Sequence, residues 1–242
     1  MNMEEQAGKL VAWIKEKVSA AGCRGVVLGM SGGLDSSVLA VLCHRAFPRN
    51  TLGVIMPCHS IGEDKTHAEE MADKFGISTT EVKLNGVFDA FLQVLPDYRK
   101  DTALGKLARS NLKPRLRMLT LYYIANQLQY IVAGSGNRSE LAIGYFTKYG
   151  DGGVDILPLG NLVKGEVKEL ARHLGIPRSI IDKPPSAGLW EGQTDEGEMG
   201  ISYEALDRYI LEGDAPGELK SRIEVMITTS AHKRTMPSIA EL

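Results

Sequence analysis

Residues 25–40 read GVVLGMSGGLDSSVLA. Val26, Val27 and Leu28 form a short apolar run, the pattern of a buried strand. Ser31, Gly32 and Gly33 make a small-residue turn. Val38, Leu39, Val41 and Leu42 then supply the apolar positions of a helix that begins around Asp35. Strand, glycine turn and helix start follow one another without a gap. The first turn of a helix has backbone N–H groups with no intrahelical partner, and its dipole favours an anion. Gly32 and Gly33 let a ligand approach the backbone closely. Ser31, Ser36 and Ser37 add hydroxyl donors. Asp35 beside an anion is a conflict that an intervening Mg²⁺ resolves. The stretch lacks the GK[ST] of the Walker P-loop and the GxGxxG of dinucleotide-binding turns.

Working outward, Ala7, Leu10, Val11, Ile14 and Val18 recur at helical spacing, and Gly22 stops that helix. Downstream the pattern predicts strands at 51–56, 79–84 and 130–133. It predicts helices at 63–75, 85–95, 163–174, 202–212 and 218–231. A further helix starts near Pro114, whose missing N–H costs nothing in a first turn. Asn85 is expected to cap its own helix. Residues 97–110 show no pattern, 145–161 read as irregular, and 57–62 and 183–198 read as loops. A second glycine turn, 134–136, leads through Asn137 into a short helix. Alternating strands and helices predict an α/β fold, a doubly wound parallel sheet of about five strands with helices on both faces. A single domain over 1–242 is expected.

The 242 residues are 43% hydrophobic, enough for a full core, and the net charge of −2 argues against a nucleic-acid partner. The three cysteines, Cys23, Cys43 and Cys58, form no CxxC pair and suit a reducing, cytoplasmic location. No apolar run reaches about 18 residues, so no membrane partner is expected. The acidic N-terminus is not a signal peptide. The histidines lack zinc spacing.

The string SGGLDS resembles the SGGxDS loop of the N-type ATP pyrophosphatases, which share the adenine nucleotide alpha hydrolase-like fold. Four later stretches narrow this: NLKPRLRM at 111–118, GSGNRSE at 134–140, KYGDGGVDILPL at 148–159 and KPPSAGL at 183–189. An acidic segment ending in GISYEALD and a terminal HKR follow. Together these are similar to the ammonia-dependent type of NAD synthetase.

The resemblance implies ATP contacts at Gly29, Met30, Ser31, Gly32, Gly33, Leu34, Asp35, Ser36, Ser135, Lys164 and Ser186. It implies deamido-NAD contacts at Arg115, Lys148, Asp155, His232 and Lys233, with Arg117 as the second choice for the arginine. Arg115 and Arg117 lie two apart and do not share a helix face, so one of them is expected to point at the ligand. Asp35 and Glu140 match the Mg²⁺ ligands. Asp155 and Lys164 are the candidate catalytic residues. The extra proline of KPPSA departs from the usual KPSA.

The implied reaction amidates deamido-NAD to NAD with ammonia, through an NAD-adenylate, releasing AMP and pyrophosphate. About 24 residues precede the loop strand, too few for an amidase domain, so free ammonia is the expected donor; a separate glutaminase partner stays open. The resemblance also implies a homodimer, for which the helix LTLYYIANQLQY is a candidate surface, although the same residues suit a core. The alternatives are another SGGxDS adenylating ligase, of the GMP synthetase or tRNA-modifying kind, and a nucleotide sensor without turnover.

Overall fold

The structure is a computed structural model that describes residues 2–60, 62–190 and 192–240. The apolar run is strand β1 (Gly25–Gly29). It pairs in parallel with β2 (Thr51–Ile55) on one side and β4 (Tyr130–Ala133) on the other. β3 (Ser78–Glu81) pairs with β2, giving the order β3-β2-β1-β4. Strand periodicity explains why β1 is central. Val26 and Leu28 point into one apolar cluster and Val27 into the other, and all three are fully buried.

Helices cover both faces. On the first lie α1 (Met3–Ala20), α2 (Leu34–Ala46), α3 (Gly62–Phe75) and, from later in the chain, α7 (Lys164–Leu174). On the second lie α4 (Asn85–Val94) and α5 (Ala103–Leu128). The chain moves outward from β1 to β2 to β3, then returns through α4 and α5 to β4 on the far side of β1. That reversal makes the carboxyl ends of β1 and β4 a topological switch point, where open parallel sheets hold ligands. Between β4 and α7 comes α6 (Arg138–Ile143). After α7 come α8 (Arg178–Ile181), α9 (Asp195–Met199), α10 (Tyr203–Glu212) and α11 (Gly217–Thr229). Residues of α6, α9, α10 and α11 share a third apolar cluster around Leu206 and Ile223.

The structure departs from the sequence reading in four places. The sheet has four strands rather than about five. At the β4 edge only one parallel bridge, Ala133 to Ile156, forms. There Asp155 acts as a piece of strand: its backbone N–H donates to Val132 O (3.0 Å) and its carboxylate accepts from Val132 N (2.8 Å). Pro114 sits inside α5, not in a first turn. The helix starts earlier because Thr102 caps it, accepting from Gly105 N at 3.1 Å, and residues 103–113 are part of it. Burial of Leu116, Leu121 and Ala125 against the sheet outweighs the lost backbone bond at the proline. Asn85 does not cap α4; Leu84 holds that position, and the Asn85 side chain accepts from His59 N at 2.9 Å. β3 ends at Glu81, short and exposed as an edge strand often is. The loop read as 57–62 includes Ile61, which lies outside the described residues.

Leu170 is fully buried where α7 packs on α2. Leu170→Ala is expected to cost about 2–5 kcal/mol and lower the melting temperature by roughly 4–20 °C. Glu169→Ala, at an exposed position one residue away, is expected to change stability by less than about 0.5 kcal/mol, both variants being compared by urea titration and thermal melting.

Candidate active site

The site is built at the carboxyl end of β1. Gly32 adopts φ +75°, and a Cβ there would stand 2.1 Å from the carbonyl oxygen of Asp64, so only glycine fits against the start of α3. The hydroxyls knit the turn. Ser36 Oγ and Ser37 Oγ donate to Gly33 O at 3.0 and 2.8 Å, and Ser31 Oγ lies 2.9 Å from Ser36 Oγ. Ser37 is buried and faces away from the cleft, so its hydroxyl serves the loop. The N-cap of α2 is Gly33, and no side chain accepts from the first-turn N–H groups. A helix start with this geometry has donors to offer an anion.

Asp35 follows in the first turn of α2. Its Oδ1 accepts from Asn137 Nδ2 at 3.1 Å, and its Oδ2 forms an ion pair with Lys164 Nζ. Asn137 is the N-cap of α6, and Glu140 closes a capping box with it: Glu140 N donates to Asn137 Oδ1 (3.0 Å) and Asn137 N to Glu140 Oε2 (3.2 Å). Glu140 Oε1 lies 3.7 Å from Lys164 Nζ. The loop after β1, the loop after β4 and the first residue of α7 therefore deliver two carboxylates and one ammonium to one place.

Burial, and next the Asp35 carboxylate, push the Glu140 carboxyl up to about 8, against the pull of Lys164. Burial disfavours the Lys164 charge, but Asp35 and Glu140 outweigh it and raise its pKa. Two hard oxygen ligands suit Mg²⁺, which takes one or two carboxylates plus water and phosphate oxygens. Among the described residues no group of three or more His, Cys, Asp or Glu side chains is arranged as a metal cage.

These residues open into one cleft of about 1860 Å³. It is lined by Gly29, Met30, Ser31, Gly33, Leu34, Asp35 and Ser36 from the first loop, and by Ser135, Glu140, Lys164 and Ser186. Gly32 is not among the lining residues. The second proline of KPPSA is tied in by its carbonyl, since Pro185 O accepts from Asp195 N at 2.9 Å.

Arg115, Lys148, His232 and Lys233 line the same cleft. Lys148 Nζ donates to His232 O, and Lys233 Nζ donates to Gly144 O (2.8 Å) and Phe146 O (2.9 Å), so the chain's C-terminal turn is fastened to the wall. Both arginines of NLKPRLRM line the cleft. Arg115 is exposed and donates to Lys148 O (3.4 Å). Arg117 is half-buried and donates to Met56 O (3.3 Å) and Ser60 Oγ (3.2 Å). A turn of about 200° separates them, and the cleft wraps far enough round α5 to meet both.

Asp155 stands apart. It is exposed, its carboxylate is used by Val132 N and by the Tyr122 hydroxyl (2.9 Å), and it does not line the cleft.

Sequence reasoning missed Asn137, Tyr203, Asp195 and Asp207. Tyr203 donates toward Asp195 Oδ2 (3.0 Å) and Glu140 Oε1 (3.3 Å), and Lys164 Nζ sits 5.0 Å from its ring centre. Burial pushes the Asp195 carboxyl up. The available signal was the spacing of Tyr203 and Asp207 in GISYEALD, which puts both on one helix face.

The Glu140 carboxyl takes its proton near pH 8 in the fold but near 4.5 in the unfolded chain. Between those values the native state binds the extra proton, so this group makes stability fall as pH rises. Glu140→Gln removes that slope. Its melting temperature relative to wild type, without added metal, is expected to rise between about pH 5 and about pH 9. A difference that stays flat would refute the assignment.

A family model described as NAD synthase matches residues 6–237. An NH₃-dependent NAD⁺ synthetase of Carboxydothermus hydrogenoformans is 50% identical over 242 residues, covering 100% of this chain and 99% of that protein. One from Archaeoglobus fulgidus is 45% identical over 100% and 98% of the two chains. Among solved structures, an NMN synthetase from Francisella tularensis superposes with a TM-score of 0.93 at 36% identity, with each chain fully covered. An NH₃-dependent NAD synthetase from Campylobacter jejuni gives 0.81 at 30% identity, again with full coverage. With the sheet order, the cleft and these matches in hand, the chain belongs to the NAD synthase family.

Proposed function

We propose that this chain amidates deamido-NAD to NAD, using ATP and ammonia. The observation that carries the reading is the meeting of Asp35, Glu140 and Lys164 at the mouth of the SGGLDS turn, in a chain of this family. An oxygen of the nicotinate carboxylate attacks the α-phosphorus of ATP. The bond to the bridging oxygen breaks, and pyrophosphate leaves toward the first-turn N–H groups of α2. Ammonia then attacks the activated carbonyl carbon, AMP leaves with the electron pair, and the added nitrogen gives up one proton to solvent to leave the neutral amide. Negative charge grows on the leaving pyrophosphate, and fixed N–H dipoles and an ammonium are the groups that stabilise it.

Lys164 is held between the two carboxylates and is available to a phosphate that displaces one of them. Asp35 and Glu140 would hold Mg²⁺, which supplies charge neutralisation on phosphate oxygens. Ser135 and Ser186 complete the ATP walls. Arg115, Lys148, His232 and Lys233 hold the anionic second substrate, and Arg117 adds a guanidinium with only neutral oxygens as hydrogen-bond partners. A cleft of about 1860 Å³ exceeds the roughly 300–1,000 Å³ that houses one small ligand and leaves room for two nucleotides.

One observation supports a second substrate. The Francisella protein, with its TM-score of 0.93, is an NMN synthetase, so nicotinate mononucleotide is the competing acid. The same adenylation chemistry serves both. Purified protein with ATP, Mg²⁺ and ammonium is expected to form AMP and NAD from deamido-NAD, with a kcat/KM higher than for the mononucleotide. Asp35→Ala is expected to lower pyrophosphate release at least about 10²-fold. ADP as the product, or a preference for the mononucleotide, overturns the reading.

The proposal extends to assembly and place. Residues 1–242 act as one domain, because α10 packs on both α6 and α7. The helix LTLYYIANQLQY serves two ends: Leu121 and Ala125 are core, whereas Leu119 (63% exposed) and Tyr123 (68%) face out. Exposed apolar side chains of this kind on one helix face fit a second copy of the chain. No described helix is long and apolar enough to cross a membrane; with three free cysteines the reading is cytoplasmic. Light scattering is expected to give twice the chain mass for wild type and the single mass for the Leu119→Asp/Tyr123→Asp double variant. A wild-type monomer overturns the dimer.

A further inference from the structure

α7 begins with a residue the reaction needs and with an N-cap that cannot serve it. The N-cap is Val163, whose side chain has no acceptor, where Ser, Thr, Asp or Asn is the usual choice. Val163 N donates to Glu166 Oε2 of the same helix at 2.9 Å, and two orphan donors of the first turn are satisfied from other helices. Lys164 N donates to Ser139 Oγ on α6 at 3.1 Å. Gly165 N donates to Asp207 Oδ2 on α10 at 2.7 Å. Ser139 Oγ in turn donates to Asp207 Oδ1 at 2.5 Å. One carboxylate therefore fixes the start of α7 through both of its oxygens, once directly and once through a hydroxyl.

The burial is severe. Ser139 is fully buried and Asp207 is 8% exposed. Taking a carboxylate out of water is costly, and here N–H and O–H donors and the positive end of the α7 dipole offset that cost. Ser139 also immediately precedes Glu140. The same four-residue unit therefore sets the backbone of α6 at Glu140 against the backbone of α7 at Lys164. Tyr203, one turn before Asp207 on α10, stands on the same side. Its hydroxyl reaches Glu140, and its ring lies beneath the Lys164 ammonium. α10 thus braces the backbone of Lys164 with one side chain and flanks its charged end with another.

We propose that Asp207, acting through Ser139, is the positioning residue that holds Lys164 and Glu140 in register for adenyl transfer. It borders the cleft, but both of its carboxylate oxygens are taken by Ser139 Oγ and Gly165 N. Its effect is on where the Lys164 ammonium stands when charge develops on the phosphates. The inference rests on the role given above to Lys164.

The test is a double-mutant cycle on the full chain. Pyrophosphate release and the affinity for a non-hydrolysable ATP analogue are measured for wild type, Asp207→Asn, Ser139→Ala, Lys164→Ala and the two doubles containing Lys164→Ala. Asp207→Asn and Ser139→Ala are each expected to lower kcat on the order of 10- to 100-fold, the scale for a displaced or unsupported catalytic group. The kcat/KM for ammonium is expected to stay within about twofold, since ammonia enters after the step concerned. In the Lys164→Ala background the same substitutions are expected to change kcat by less than about twofold, because no ammonium is left to misplace. Where Lys164→Ala leaves no turnover to measure, analogue affinity closes the cycle. An equal loss in both backgrounds makes Asp207 a general scaffold residue and overturns the proposal, as does unchanged kcat in a folded Asp207→Asn. If Asp207→Asn does not fold, Ser139→Ala, which retains the carboxylate, carries the same cycle. A Lys164→Ala variant with wild-type turnover and affinity strikes the role of Lys164 itself, and so is told apart from a failure at Asp207.

Discussion

The ammonium of Lys164 between the carboxylates of Asp35 and Glu140 is the contact on which the arrangement depends. Parallel topology brings the two acids together. β1 and β4 are neighbours running the same way, so the helices that follow them, α2 and α6, start at the same edge of the sheet. Each acid sits in the first turn of its helix, where a negative charge is favoured by the dipole. Burial, and next the charge of Asp35, raise the Glu140 carboxyl, the mark of two acids crowded into one place. A cation from a third helix makes the pair tenable, and α7 supplies it with its first residue.

The same geometry explains why the turn after β1 is built from small residues. The backbone must reverse between the strand end and α2 while α3 starts close above it, and at Gly32 both the left-handed backbone and the nearness of Asp64 exclude a side chain. The serine hydroxyls hold that reversal by bonding to Gly33 O. Because the turn's own hydrogen bonds hold this shape, binding an anion there requires little ordering. On the opposite wall, α5 works on three sides. Leu121 packs the sheet, Arg115 and Arg117 meet the cleft, and Leu119 and Tyr123 face outward.

The central unit was legible in the sequence because its signals are local. Apolar periodicity, glycine punctuation and helix start lie side by side in residues 25–40, and the glycine turn before Asn137 repeats the pattern. Local chemistry misled at Pro114 and Asn85. Proline suits a first turn and asparagine suits a cap, but α5 is set by the surface it buries, and Asn85 is claimed by His59 N. The missing strand is a similar case. Residues 155–156 do approach β4, yet the carboxylate of Asp155 bonds to Val132 N alongside the backbone, so the edge closes after one bridge. Asp207 was half legible: its spacing from Tyr203 puts the two on one face of α10, but its partners Ser139 and Gly165 lie 68 and 42 positions away, which no spacing rule encodes. What the sequence does hold is the defect that the contact repairs, a helix that begins after valine.

That repair gives the C-terminal part of the chain its place in the chemistry. Leu206 is fully buried in the third apolar cluster, with Tyr203 and Ile223 beside it. The burial that seats Leu206 also aims the next residue, Asp207, at α7. The charge at the centre of the cleft is thus held by an apolar contact that has no polar group of its own. A substitution that loosens the packing of α10 acts on Lys164 as well as on stability, because the cap of α7 and the core of the third cluster are borne by adjacent residues. Hydrophobic burial, which is non-directional, here fixes the direction of an ammonium through two hydrogen-bond acceptors that sit where the packing puts them.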